Sequence, residues 1–204
     1  MLDQWSGNKL YKGKEMQLTI FDTAGHDDLS ALRPISYGGT DCFLICYAIN
    51  DRNSFENASR KWLAEIKTCA SLAPCILVGT KSDLRSSAQQ EHEESKSSYS
   101  QSMADINNTF VSTEEMMEAA KRNFFQGAVE CSAKNFQDAS LNKVFLTAFK
   151  AVFQYRELKN SRTGSQTGST YHIPPANRLS GKNEQGLNIS VEHPSREQNR
   201  KKCC

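Results

Sequence analysis

Long apolar runs are missing from this chain. The longest, Cys42 to Ile49, is eight residues, the size of a buried strand and far short of the roughly 18 that read as a membrane span. A transmembrane protein is therefore not expected. A basic start and an apolar stretch are also missing at Met1-Leu2-Asp3-Gln4-Trp5, so an intracellular protein is expected rather than a secreted one. The seven cysteines include no CxxC pair, which argues against zinc. In a chain of this size and compartment, a disulfide framework is not expected either. Cys42, Cys46, Cys69, Cys75 and Cys131 lie in apolar segments and are expected to act as small hydrophobes. Aromatic residues do not interleave with the basic ones, and the first 160 residues are net acidic, so nucleic acid is not an expected partner. What remains is 204 residues, 38% apolar and 24% charged with a net charge of +2. That is the composition of one soluble domain with appendages.

The charge is uneven. Residues 161–204 hold seven Lys/Arg against three Asp/Glu and are rich in Ser, Asn, Gln, Gly and Pro. Leu179, Leu187, Ile189 and Val191 are isolated among them, so this tail is expected to be disordered. A second polar, serine-rich stretch at 86–110, with Glu91, Glu93 and Glu94, reads as a surface insertion in a domain spanning 1–160. The rest alternates strand and helix. Glu15 to Asp22 follows a Lys12-Gly13 turn like the second arm of a hairpin. Cys42 to Ile49, Cys75 to Gly79 and Ala128 to Cys131 read as short buried strands. Phe55, Ala58, Trp62 and Ile66 fall at helical spacing after an N-cap at Asp51 or Asn53. Ser112-Thr113-Glu114-Glu115 has capping-box spacing and opens a helix through about Arg122. Leu141, Val144, Phe145, Ala148 and Val152 mark one face of a last helix. The pattern predicts an α/β sheet with ligand loops at the carboxyl ends of its strands.

Three polar signatures follow three predicted strands. In Asp22-Thr23-Ala24-Gly25, the acid can hold a metal ion through water and the glycine lets a backbone N–H approach a phosphate. In Thr80-Lys81-Ser82-Asp83, the forked carboxylate suits the ring N–H and exocyclic amine of guanine, a donor pair adenine lacks. In Glu130-Cys131-Ser132-Ala133-Lys134, backbone N–H groups can meet the guanine carbonyl. Each alone also fits an ordinary polar turn. Together, in order and at successive strand ends, they point to one site.

The set resembles the small GTPases of the Ras superfamily, with their DxxG, [NT]KxD and SA[KL] loops. The stretch Asp22 to Tyr37 (DTAGHDDLSALRPISY), Thr80 before the lysine, Ser54-Phe55-Glu56-Asn57 with Lys61-Trp62, and an insertion after Asp83-Leu84-Arg85 resemble the Rho/Rac family. The likeness covers about residues 2–158. It implies a Ras-like P-loop GTPase fold and a GTP/GDP switch in signal transduction, including regulation of the cytoskeleton. It also implies Mg²⁺ held through water by Asp22, and the Gly25 N–H at the γ-phosphate. Thr23, Ala24, Thr80, Lys81, Ser82 and Asp83 would line the nucleotide, with Ser132, Ala133 and Lys134 closing the base pocket. His26 would stand in the catalytic, water-orienting position. Leu29 to Tyr37 would form a mobile switch for exchange factors, GTPase-activating proteins, dissociation inhibitors and effectors.

The sequence departs from that family in four places. No GxxxxGK[ST] occurs: Gly13-Lys14 and Gly181-Lys182, its only Gly-Lys pairs, lack both the upstream glycine and the following Ser/Thr. The expectation is that the first strand, phosphate loop and first helix lie outside this chain, leaving unpaired strand edges. Two readings follow, a switch represented by an incomplete chain and an interaction module that binds no nucleotide. Second, His26 stands where the family usually has glutamine, which predicts slow hydrolysis. Third, the insertion is longer and richer in serine than is usual. Last, Arg200-Lys201-Lys202-Cys203-Cys204 resembles the Rab terminus, implying prenylation of Cys203 and Cys204 and attachment to the cytoplasmic face of a membrane.

Overall fold

The computed structural model describes residues 2–23, 25, 33–70, 72–94, 110–134, 139–163 and 186–192. β1 (Leu2–Tyr11) and β2 (Lys14–Thr23) form an antiparallel hairpin with Tyr11 opposite Lys14. Its turn residues, Lys12 and Gly13, both have positive φ, 50° and 76°. A two-residue hairpin favours that backbone because its twist matches the twist of the strands.

β3 (Cys42–Ala48), β4 (Cys75–Thr80) and β5 (Gly127–Glu130) pair in parallel. All seven residues of β3 are buried, and they alternate between two cores. Phe43, Ile45 and Tyr47 pack on one side with Phe55, Trp62, Ile66 and Met116. Cys42, Leu44 and Cys46 pack on the other with Val144, Ala148, Phe149 and Val152. A strand covered on both faces reads as a continuous apolar run for this reason.

The first core is roofed by α1 (Arg52–Asn57), a π-helical stretch (Ala58–Trp62), α2 (Leu63–Cys69) and α4 (Thr113–Arg122). The Asp51 carboxylate accepts the Ser54 N–H at 3.1 Å and caps α1. Ser112 accepts the Glu115 N–H at 3.1 Å and caps α4, as the capping-box spacing predicts. The second core lies under α5 (Ala139–Thr163), which also reaches the hairpin: Tyr11 stacks on Phe153 with ring centroids 5.3 Å apart. Cys42, Cys46, Cys75 and Cys131 are buried thiols outside any disulfide. Burial pushes the Cys75 thiol up to about 12, so it stays protonated and packs as a hydrophobe. Cys69, expected to do the same, is exposed at the end of α2.

Two expectations are corrected by β6 (Gly186–Glu192). This segment of the supposedly disordered tail is a strand, parallel to β2 and β3 and lying between them. The strand order is β1-β2-β6-β3-β4-β5, so the β2 and β3 edges expected to be unpaired are both paired. The composition of 44 residues hid seven with period-two apolar spacing at Leu187, Ile189 and Val191. In a slot with two open edges, such a segment satisfies a hydrogen-bonding ladder on each side. The insertion at 86–110 also differs from a simple loop, because α3 (Asp83–Glu94) carries its first part. Residues 95–109 lie outside the described residues.

Candidate functional site

β4 ends at Thr80, and the chain turns into α3 within two residues. Lys81 makes that turn with φ of +62°, a strained backbone for a residue with a Cβ. The Leu84 N–H closes the turn by donating to the Lys81 carbonyl at 3.0 Å. Thr80 points its hydroxyl back to the Tyr47 carbonyl, at 2.8 Å, which ties the turn to β3.

The neighbouring loop follows β5. The Cys131 N–H donates to the Gly79 carbonyl at 2.8 Å, and the Ser82 N–H to the Cys131 carbonyl at 3.1 Å. Two of the sequence signatures are thereby brought together by backbone. Their side chains join as well: the Ser132 hydroxyl donates to Asp83 Oδ1 at 2.6 Å. The Lys134 N–H donates to Ser132 Oγ and the Ser132 N–H to Ser140 Oγ, each at 3.2 Å. The Ser132–Asp83 bond engages one Asp83 oxygen and leaves the other as an acceptor. A carboxylate fork of this kind offers the two acceptors that the ring N–H and amine of guanine require.

Arg85 and Glu130 brace this arrangement, and sequence reading gave neither a role. Arg85 donates to both Glu130 oxygens, at 2.8 and 2.9 Å, and to the Val111 carbonyl at 2.7 Å. The Glu130 carboxylate raises the pKa of the guanidinium above its ordinary value, against the cost of burial. The fork clamps the start of α3 to the end of β5. Its one sequence signal is an acid and a base each adjoining a motif, which is no signal without the contact. Ser140 was missed for the same reason.

Asp22 and Thr23 end β2, with Asp22 exposed and both Thr23 and Gly25 buried. In the sheet they are separated from β4 by β6 and β3, a distance on the order of 14 Å at strand spacing. Ala24 and His26 lie outside the described residues, as do Cys203 and Cys204. No group of three or more His, Cys, Asp or Glu is set to hold a metal among the described residues. Asp22 is an exposed carboxylate at a strand end, a hard oxygen donor of the type Mg²⁺ takes together with water.

Beyond Gly25, the segment Arg33–Tyr37 forms a single 3-10 turn. Arg33 is 4% exposed. It meets Glu65 through two bonds of 2.8 and 3.0 Å, and its guanidinium carbon lies 4.7 Å from the Trp62 ring centroid. Tyr37 adds an O–H bond of 2.7 Å to the same Glu65. Burial opposes ionisation of Glu65, but these two donors outweigh it and hold its carboxyl below the usual value. The carboxyl end of the expected switch is therefore anchored to α2.

A mostly parallel sheet bearing DxxG, TKxD and SAK loops at strand ends is the framework of a small GTPase. The model of the Ras family matches residues 2–154. Ras-like GTP-binding protein RhoL of Drosophila melanogaster is 36% identical over 167 residues, covering 82% of this chain and 75% of RhoL. GTP-binding protein RHO5 of Saccharomyces cerevisiae is 34% identical over 170 residues, covering 78% of this chain and 46% of RHO5. This chain belongs to the Ras family, as a Rho-type small GTPase.

Proposed function

We propose that the chain is a Rho-type guanine-nucleotide switch whose base-recognition half is fully formed in these residues. The observation that carries this reading is the Ser132–Asp83 bond, which joins the two base-side loops through their side chains. Asp83 would accept from the ring N–H and amine of guanine, and the Ala133 N–H would donate to its carbonyl. Lys81 would lie along the base. On the far side of β6, Asp22 would hold Mg²⁺ through water, and the Gly25 N–H would face the γ-phosphate. Mg²⁺, when bound, would neutralise charge developing on the phosphate oxygens. His26 would stand near the attacking water, where a shorter ring than the family's glutamine predicts slow hydrolysis. Cys203 and Cys204 would carry prenyl groups, and exchange factors, activating proteins, dissociation inhibitors and effectors would read the Leu29–Tyr37 segment.

The second reading, an interaction module without nucleotide, draws support from the lack of any GxxxxGK[ST] in these 204 residues. One titration separates the two. The chain is mixed with GDP and ADP at millimolar concentration, and the Ala133 amide is followed by NMR. The switch reading expects weak binding with at least tenfold preference for GDP, lost in Asp83→Ala. No saturable response to either nucleotide would support the interaction module.

A further inference from the structure

The strand order separates the sheet into two parts. β1 and β2 pair with each other, and β3, β4 and β5 form a second ladder. Among the described residues, the one ladder joining them is β6. It makes seven residue pairs with β2, from Gln17↔Gly186 to Thr23↔Glu192, and four with β3, from Cys42↔Ile189 to Ile45↔Glu192. The loops of the candidate site are divided in the same way. Asp22 to Gly25 belong to the hairpin, whereas Thr80 to Asp83 and Cys131 to Lys134 belong to the other part.

The seat is specific. Ile189 is fully buried in the core with Leu18, Leu44 and Phe149. Ser190 is also fully buried, and its hydroxyl lies 3.0 Å from that of Thr40. Side chains from both faces of β6 are thus enclosed. Parallel pairing requires a crossover of a dozen residues or more, and 55 residues, α5 among them, separate Glu130 from Gly186.

We infer that the space between β2 and β3 is a binding slot for one extended parallel strand. In this chain Gly186–Glu192 occupies it in cis, as an internal form of β-strand addition. Seating this strand holds the phosphate side of the candidate site in register with the base side. The tail is therefore a working part of the domain. It also places the end of β6 at Thr23, so only the twelve residues after Glu192 remain as a tether to Cys204. Fully extended, twelve residues reach about 40 Å.

The test uses the full chain without nucleotide, so its outcome is independent of the proposed GTP switch. The amides of 186–192 should exchange with solvent at least 100-fold more slowly than in the free peptide of the same sequence. Ile189→Asp should abolish that protection and weaken it in β2 and in the β3 amides that face β6, while β4 and β5 stay protected; Ile189→Val should retain it. In Thr40→Cys/Ser190→Cys, mild oxidation should link the two positions within one chain, as read by mass spectrometry of the digest. Exchange of 186–192 at the free-peptide rate would overturn the inference. Cross-links found only between two chains would overturn occupation in cis.

Discussion

The Ser132 hydroxyl reaches Asp83 Oδ1 at 2.6 Å across 49 residues of sequence. It is a short bond to a carboxylate, in the strong class of hydrogen bonds. It fixes which way the fork faces. Ser132→Ala should leave the fold intact and free the carboxylate to rotate, costing about 1.5–3 kcal/mol at that contact. Guanine-nucleotide affinity should fall on the order of tenfold, and Ser132→Thr, which keeps the hydroxyl, should restore most of it. A competition titration against ADP checks this. An unchanged preference in Ser132→Ala would remove the bond from base recognition.

Gly79 lies beneath the same loops. A Cβ there would stand 2.9 Å from the Tyr47 hydroxyl and 3.2 Å from both Glu130 Cγ and Ile49 Cγ2. Tyr47 Oη is itself buried without a hydrogen-bond partner among the described residues. Gly79→Ala should destabilise by about 1–3 kcal/mol through overpacking. Tyr47→Phe should be neutral or stabilising, because it removes a polar group that was desolvated for nothing. Combined, the two changes should cost less than Gly79→Ala alone, since the closest clash has gone. Urea unfolding of the four proteins of this cycle measures the coupling. Strict additivity would contradict the geometry.

Glu65 carries a pH dependence. Its folded pKa is lowered from 4.5, so its stabilising contribution is complete above the unfolded value and is lost as pH falls through the folded one. Thermal unfolding between pH 3 and pH 7 should show a loss of stability on acidification below about 4.5. In Glu65→Gln that component of the loss should be missing, and the protein should be less stable at pH 7 because Arg33 stays buried without its counter-charge. Parallel pH profiles for the two proteins would refute the assignment.

Membrane attachment should require Cys203 and Cys204, with Arg200, Lys201 and Lys202 as helpers. Lipid insertion is not screened by salt, whereas the basic residues lose influence as the Debye length shrinks. In cell fractionation the double Cys→Ser chain should be fully soluble, and removal of the three charges should only weaken binding. Release by charge removal, with the serine variant still bound, would identify an electrostatic anchor.

Most of the frame was legible locally. The hairpin turn at Lys12-Gly13, the caps at Asp51 and Ser112 and the run Cys42 to Ile49 each carry their signal within a few residues. Backbone conformation and burial on two faces are local properties of such segments. The DxxG, TKSD and CSAK loops were legible for a similar reason: each needs particular residue types at a strand end. That Asp22, Thr80–Asp83 and Ser132–Lys134 lie at the ends of strands is therefore written in the sequence, whereas their membership of one sheet depends on β6.

Tertiary structure decided the rest. The Arg85–Glu130 clamp joins residues 45 apart, and no spacing rule connects them. The seat of Gly186–Glu192 is a still longer-range matter. Averaged over the tail, its composition reads as disordered, because isolated apolar residues cannot offset the entropy of ordering a chain. Two waiting strand edges change that balance, since each adds a hydrogen-bonding ladder and a covered face. The edges belong to residues 17–23 and 42–45, so the state of residue 189 is set more than 140 positions away.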